Sequence, residues 1–144
     1  MPEAILVELA SALIASFEGV RLTAYQDSGG IWTIGFGHTG GVTAGMTITF
    51  EKAQELLAED QKALWAAVAG VPDLEQVALV SFGYNCGLSK LIEVRDGHAT
   101  MGQFVHDHAG NVLPGLVARR RVEEALMAYS QIRSAAAIQQ SVRS

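Results

Sequence analysis

The chain has 144 residues, enough for one domain or two small lobes around a shared core, and 49% of them are apolar, which excludes a disordered chain. Ten Lys and Arg against fifteen Asp and Glu give a formal net charge of -5, so the basic footprint of a nucleic-acid binder is missing. The single cysteine, Cys86, excludes an intrachain disulfide, and the fold must stand on packing alone.

Residues 4–17 are apolar enough to raise the question of a signal peptide or a membrane span. Glu3 and Glu8 interrupt the run where a signal carries positive charge, and the stretch is shorter than the roughly 20 residues a span needs. The expectation is a core helix over 3–17, with no integral membrane segment. Residues 19–46 change character, with eight glycines and near-alternation of Ile31, Thr33 and Gly35 against Trp32, Ile34 and Phe36. That pattern predicts a small antiparallel hairpin with glycine-rich turns. Thr49 is placed to cap a helix over 50–69, whose apolar stripe is Ala53, Leu56, Leu57, Leu64 and Val68. Asp73, with Gln76 three residues on, is placed to cap the next helix in a capping box. That helix is apolar nearly all round and should stop at Gly87. Short helices are expected near 89–95 and 101–107, and GNVLPG reads as a turn. The last strong helix is 116–129, with Ala118, Val122, Ala125, Leu126 and Tyr129 sharing its apolar face. Residues from Gln131 onward read as a fraying tail. Arg119, Arg120 and Arg121 form the only basic cluster. Such a run is usually a solvated face, but helical geometry cannot point all three the same way, so at least one should turn inward, towards Glu18.

Chemistry concentrates in FEGVRLTAYQDSGGIWTIGFGHT, residues 17–39. Glu18 ends the first helix, Asp27 follows nine residues later in the hairpin, and Thr33 lies on the returning strand. Glycosidic cleavage needs one protonated carboxyl for the leaving oxygen and one ionised carboxylate on the other side of the sugar. A hydroxyl beside the second carboxylate can help hold a water. Spacing alone leaves two readings open, because a helix-end Glu and a turn Asp before SGG are also commonplace.

The same stretch resembles the active-site region of the phage-type lysozymes (endolysins), glycoside hydrolase family 24. The family pattern is a helix-ending Glu, an Asp nine residues on and a Thr six further, inside T-I-G-[YF]-G-H-T, and here it reads Glu18, Asp27 and Thr33 within TIGFGHT. GVTAGMTIT at 41–49, SFGYNCG at 81–87 and LPGLVARRRVEEAL at 113–126 are similar to later family segments in the same order. The resemblance covers roughly residues 13–130. It implies an α+β, mostly helical, lysozyme-like fold within a single domain over 1–144. A small β-containing lobe of about 18–50 would be joined by a linking helix of about 50–69 to a helical lobe of about 70–130, which also takes in the N-terminal helix. It implies hydrolysis of the β-1,4 bond between N-acetylmuramic acid and N-acetylglucosamine in peptidoglycan, by inversion. Glu18 would then be the general acid, with Asp27 and Thr33 positioning the attacking water. Tyr84, Asn85, Arg119 and Arg120 are carried over as candidate substrate-binding residues.

Asp60 falls on the apolar stripe of the long helix, where an unpaired carboxylate is costly. His38 at the hairpin's end is the expected partner, in a structural role. His98, His106 and His108 with Asp96 and Asp107 match no recurring zinc spacing, so neither metal nor cofactor is expected. Cys86 reads as a small apolar filler. The acidic balance departs from the basic character of many lytic enzymes, which helps them at anionic walls. Two other functions are weighed. A lytic transglycosylase uses the acid but replaces water with internal attack, and the Asp27–Thr33 pair argues against it. A non-catalytic peptidoglycan-binding domain has no need of the intact Glu–Asp–Thr set. With no export signal read, the protein is expected to be a monomer in the host cytoplasm until a holin releases it to the wall.

Overall fold

The computed structural model describes residues 1–143. Helix α1 runs Glu3–Glu18 and buries Leu6, Ala10 and Ile14, one residue per turn on a single stripe. Strands β1 (Arg21–Gln26) and β2 (Trp32–Gly35) pair antiparallel, with Tyr25 opposite Thr33 and Gln26 opposite Trp32, and an irregularity between Arg21 and Tyr25. Residues 46–48 run along the free edge of β1, where Met46 O accepts from Ala24 N at 2.8 Å and Ile48 N donates to Leu22 O at 2.9 Å. The glycine-rich connection thereby covers an edge that would otherwise stay unpaired.

Helix α2 (Phe50–Ala67) starts as expected, with Thr49 Oγ1 accepting from Lys52 N at 3.1 Å. It buries Ala53, Leu57, Gln61 and Leu64. Gln61 is tolerated there because its amide is used: Nε2 donates to Ser11 Oγ and Leu57 O, and Oε1 accepts from Trp65 Nε1. The helix contacts β2 at one end and α3 and α4 (Leu88–Arg95) further along, so it ties the hairpin to the helical body.

Helix α3 (Asp73–Cys86) is the centre of the core and touches α1, α2, α4 and α5 (Pro114–Arg143). Every residue from Val77 to Gly83 is buried, which is why its sequence is apolar on all sides. Truncating a residue such as Phe82 to alanine would cost about 3–5 kcal/mol. The capping box expected at Asp73 does not form. Pro72 is the N-cap, Asp73 is the first helical residue, and its carboxylate takes the Met1 ammonium at 2.6 Å. Gln76 turns to donate to Val71 O instead.

The helix expected near 101–107 is only a 3-10 turn over Met101–Gln103, capped by a Thr100–Gln103 box. Beyond it, Asp107 Oδ1 accepts from the amides of Ala109 and Asn111, which pulls the chain into a turn closed by a His106–Val112 bridge. Helix α5 differs most. Pro114 sits at its first position, where a missing N–H costs nothing. The helix then runs through Gln131 to Arg143 rather than fraying. Its expected apolar face is turned outward: Ala118, Val122, Ala125 and Tyr129 are exposed. The buried face holds Arg119, Arg120, Glu123 and Ser130, with Leu126 and Met127 packed against the core. Among the described residues, no helix is long and apolar enough to cross a membrane.

Candidate active site

Glu18 is the last residue of α1, so its side chain leaves the helix where the hairpin begins. Its Oε1 accepts from Arg119 Nη1 at 2.7 Å. Its Oε2 faces Gly37, so close that a Cβ added there would lie 3.0 Å from it. The carboxyl is half-buried between α1, α5 and the loop after β2. Tyr84 supports that loop from α3 by donating its hydroxyl to Phe36 O at 2.6 Å. Burial pushes the Tyr84 phenol well up from its ordinary value, with the Asp60 and Glu18 carboxylates adding to the rise.

Asp27 and Thr33 share one anchor. Asp27 Oδ1 accepts from the amides of Gly29 (2.9 Å) and Ile31 (2.8 Å), and Asp27 N donates to Ile31 O at 2.9 Å. Thr33 Oγ1 donates to the same Ile31 O at 2.9 Å. The tight turn therefore fixes the Asp27 carboxylate through one oxygen and leaves Oδ2 without a protein donor among the described residues. The Thr33 hydroxyl spends its proton on the backbone and keeps lone pairs to offer. Thr33 is 3% exposed, so it is buried rather than on the rim of the hairpin.

His38 and Asp60 come together, with Nδ1 2.6 Å from Asp60 Oδ2, while Nε2 lies 2.7 Å from Gly40 O. A hydrogen bond at each ring nitrogen fixes the imidazole and joins the loop after β2 to α2.

Arg119 and Arg120, expected at the substrate, are turned into the protein. They are 3% and 1% exposed, and their terminal guanidinium nitrogens donate to protein groups. Besides Glu18, Arg119 donates to Ser81 O at 2.9 Å. Arg120 donates to Phe104 O, to Asn85 Oδ1 and to Glu123 Oε1, and approaches Cys86 Sγ at 3.1 Å. Of the three arginines only Arg121 is exposed. Asn85, expected beside Tyr84 at the substrate, lines a cavity of about 560 Å³ with Lys90, Phe104, His106 and Leu116. Ser28, next to Asp27, lines it from the other side, so this space lies between the hairpin and the helical body. Tyr84 lines a separate cavity of about 380 Å³ with Gly37, His38 and Asp60. Burial raises the Cys86 thiol, against the pull of Arg120, which keeps it a neutral filler.

Glu123 was missed by the sequence reading. It is fully buried between the two guanidinia, and burial raises its carboxyl against the opposing pull of Arg120, Arg119 and the Ser81 hydroxyl. Its signal was available, because Glu123 stands four residues from Arg119 and three from Arg120, on one helical face.

The fold is that of a lysozyme-like glycosidase, with one carboxyl at the end of α1 and another in the hairpin turn. The model of the phage lysozyme family matches residues 15–123. An endolysin of Acyrthosiphon pisum secondary endosymbiont phage 1 is 35% identical over 133 residues, spanning 79% of this chain and 91% of that protein. The endolysin of Salmonella phage P22 is 38% identical over 128 residues, spanning 76% and 88%. Among solved structures, the muramidase domain of SpmX from Asticaccaulis excentricus superposes with a TM-score of 0.68 at 33% identity, covering 81% of this chain and 92% of that one. The chain belongs to the phage lysozyme family, and it is accordingly a peptidoglycan-hydrolysing glycoside hydrolase, a muramidase of the endolysin type.

Proposed function

We propose that the chain cleaves the β-1,4 bond between N-acetylmuramic acid and N-acetylglucosamine by inversion, with Glu18 as acid, Asp27 as base and Thr33 as orienter of the water. The observation that carries this reading is the common anchor of Asp27 and Thr33 at Ile31. A water in the cleft can donate one proton towards the free Oδ2 of Asp27 and the other to a lone pair of Thr33. Its own lone pair then faces the anomeric carbon. Glu18 protonates the glycosidic oxygen as the bond from that oxygen to the anomeric carbon breaks, and the bonding electrons stay with the oxygen. Water forms the new bond on the opposite face and passes its proton to Asp27. That geometry needs the carboxyl groups about 6.5–9.5 Å apart, wide enough for the water. The product is the α-anomer. His38 and Asp60 hold the loop after β2 in place and take no part in the chemistry. The two lobes make up one catalytic domain. The enzyme works as a monomer and waits in the host cytoplasm until a holin opens the membrane.

Proton NMR of the first minutes of hydrolysis, before mutarotation, reads the anomer directly. A β-anomer would overturn the role of Asp27. Anhydro-muramyl products would place the enzyme with the transglycosylases. Glu18→Gln keeps the shape and removes the donor, so lysis of permeabilised cells should fall by at least about 100-fold in a protein that still folds. Near-native lysis by folded Glu18→Gln would defeat the assignment of the acid.

A further inference from the structure

The Glu123 carboxylate has no place in the reaction just described, yet it is the most completely buried charge in the molecule, at 0% exposure. Its Oε1 accepts from Arg120 Nη1. Its Oε2 faces Arg119 Nε at 3.8 Å. Those last two atoms are the only buried side-chain nitrogen and oxygen that lack a hydrogen bond among the described residues. Two neighbouring guanidinia buried on one helix repel each other strongly unless a carboxylate lies between them.

From this carboxylate two arms lead into the cleft. Arg119 carries the first, across to Glu18 Oε1 at 2.7 Å, and is braced by Ser81 of α3 and the ring of Phe17. Arg120 carries the second, to Asn85 and to Phe104 O, both on the wall of the large cavity that Ser28 closes from the hairpin side. We infer that Glu123 is a positioning residue for both halves of the active site, fixing the Glu18 carboxyl through Arg119 and the cleft wall at Asn85 and Phe104 through Arg120. This rests on the reading of Glu18 as the acid.

The charge count explains why a mere spacer would not suffice. Arg119, Arg120, Glu18 and Glu123 form a set of two positive and two negative side chains. The other titratable groups against this set are Tyr84 and Cys86 of α3, both held neutral by burial, with the charges of Asp60 beyond Tyr84 and Lys90 beyond Cys86. Removing the Glu123 charge leaves an excess positive charge beside Glu18. That excess favours the ionised Glu18, the form that cannot donate.

Glu123→Gln keeps the shape and removes the charge. In the folded variant kcat should fall about tenfold or more, and the alkaline limb of its pH profile should move down by about one pH unit. KM should rise separately, through the loosened Asn85–Phe104 wall. Glu123→Asp restores the charge with a shorter reach, so it should return the pH limb while KM stays raised. A protein in which Glu123 served only packing would lose melting temperature and keep its pH limb. A folded Glu123→Gln with wild-type kcat, KM and pH profile would overturn the inference. Should that variant not fold, side-chain nitrogen NMR of the wild-type protein decides instead. Separate, slowly exchanging Nη resonances for Arg119 and Arg120 are expected, and averaged, freely rotating ones would overturn it. Glu18→Gln is measured alongside: near-native activity there would sink the reading of the acid, while the NMR result would still test how Glu123 holds the two arginines.

Discussion

Gly37 offers a sharp test of how tightly the Glu18 carboxyl is placed. It has φ +83°, a conformation L-residues avoid, and a Cβ there would lie 3.0 Å from Glu18 Oε2 and 3.9 Å from Tyr84 Cε1. Gly37→Ala therefore carries two separable costs. The backbone cost is about 1–2 kcal/mol, as for any non-glycine residue in the left-handed region. For a chain of this size that lowers Tm by about 3–6 °C. The second cost falls on Glu18, which must retreat by a few tenths of an ångström. Its Oε1 is already held by Arg119, so the carboxyl rotates rather than translates, which on the proposed reading of Glu18 as the acid turns it off the line to the leaving oxygen. Misplacement by about 1 Å costs about 100-fold in rate, so a loss of about tenfold in kcat is expected here. Gly45→Ala is the control. Gly45 has φ +80° with nothing within 4 Å of an added Cβ, so it carries the backbone cost alone. Thermal melts and turbidity assays of the two variants should show similar falls in Tm and a loss of kcat only at Gly37. Equal activities in the two variants would refute the claim that contact with Gly37 sets the position of the Glu18 carboxyl.

Two further outcomes follow from the geometry. His38→Asn and Asp60→Asn in a double-mutant cycle should show a coupling of about 1–3 kcal/mol in unfolding free energy, because the 2.6 Å contact is charge-assisted and only partly exposed; additive losses would dissolve the pair. Hydrogen bonds from Asn111, first from its backbone, hold the Asp107 carboxyl below its usual range. A depressed carboxylate stabilises its turn at pH above the unfolded value of about 3.9, and that contribution is lost as pH falls through the folded value. The protection of the Ala109 and Asn111 amides, measured against their intrinsic exchange rates at each pH, should therefore fall on acidification, ahead of global unfolding. Asp107→Asn should remove this dependence, and a variant that kept it would place the titrating group elsewhere.

The parts of the fold legible in the sequence were those where local pattern and burial agree. Helix α3 is apolar on every side because other helices surround it, and its sequence says so. The Thr49 cap was legible because a side-chain cap acts within four residues. The His38–Asp60 contact could be expected because a carboxylate on an apolar stripe demands a partner. Asp73 differs from expectation because the helix starts one residue earlier, with Pro72 at the N-cap, and the carboxylate of Asp73 faces the Met1 ammonium instead of capping. The 101–107 segment was misread because Asp107 satisfies two backbone amides in a turn, which competes with helix.

Helix α5 shows the limit of ranking faces by hydrophobicity. Its most apolar stripe, through Ala118, Val122, Ala125 and Tyr129, lies outside, and its inner stripe carries three charges. The rule that apolar faces turn inward assumes that a buried charge has nothing to meet. Here each charge has a partner. Arg119 finds Glu18 and Ser81, Arg120 finds Phe104, Asn85 and Glu123, and Leu126 and Met127 supply the apolar packing further along the same side. A carboxyl at the end of α1 needs a cation that cannot drift away, and only a guanidinium fixed from several directions meets that need. The helix is turned by these charge pairings, so its orientation is written in the spacing of Arg119, Arg120 and Glu123 relative to one another, not in the distribution of its apolar residues.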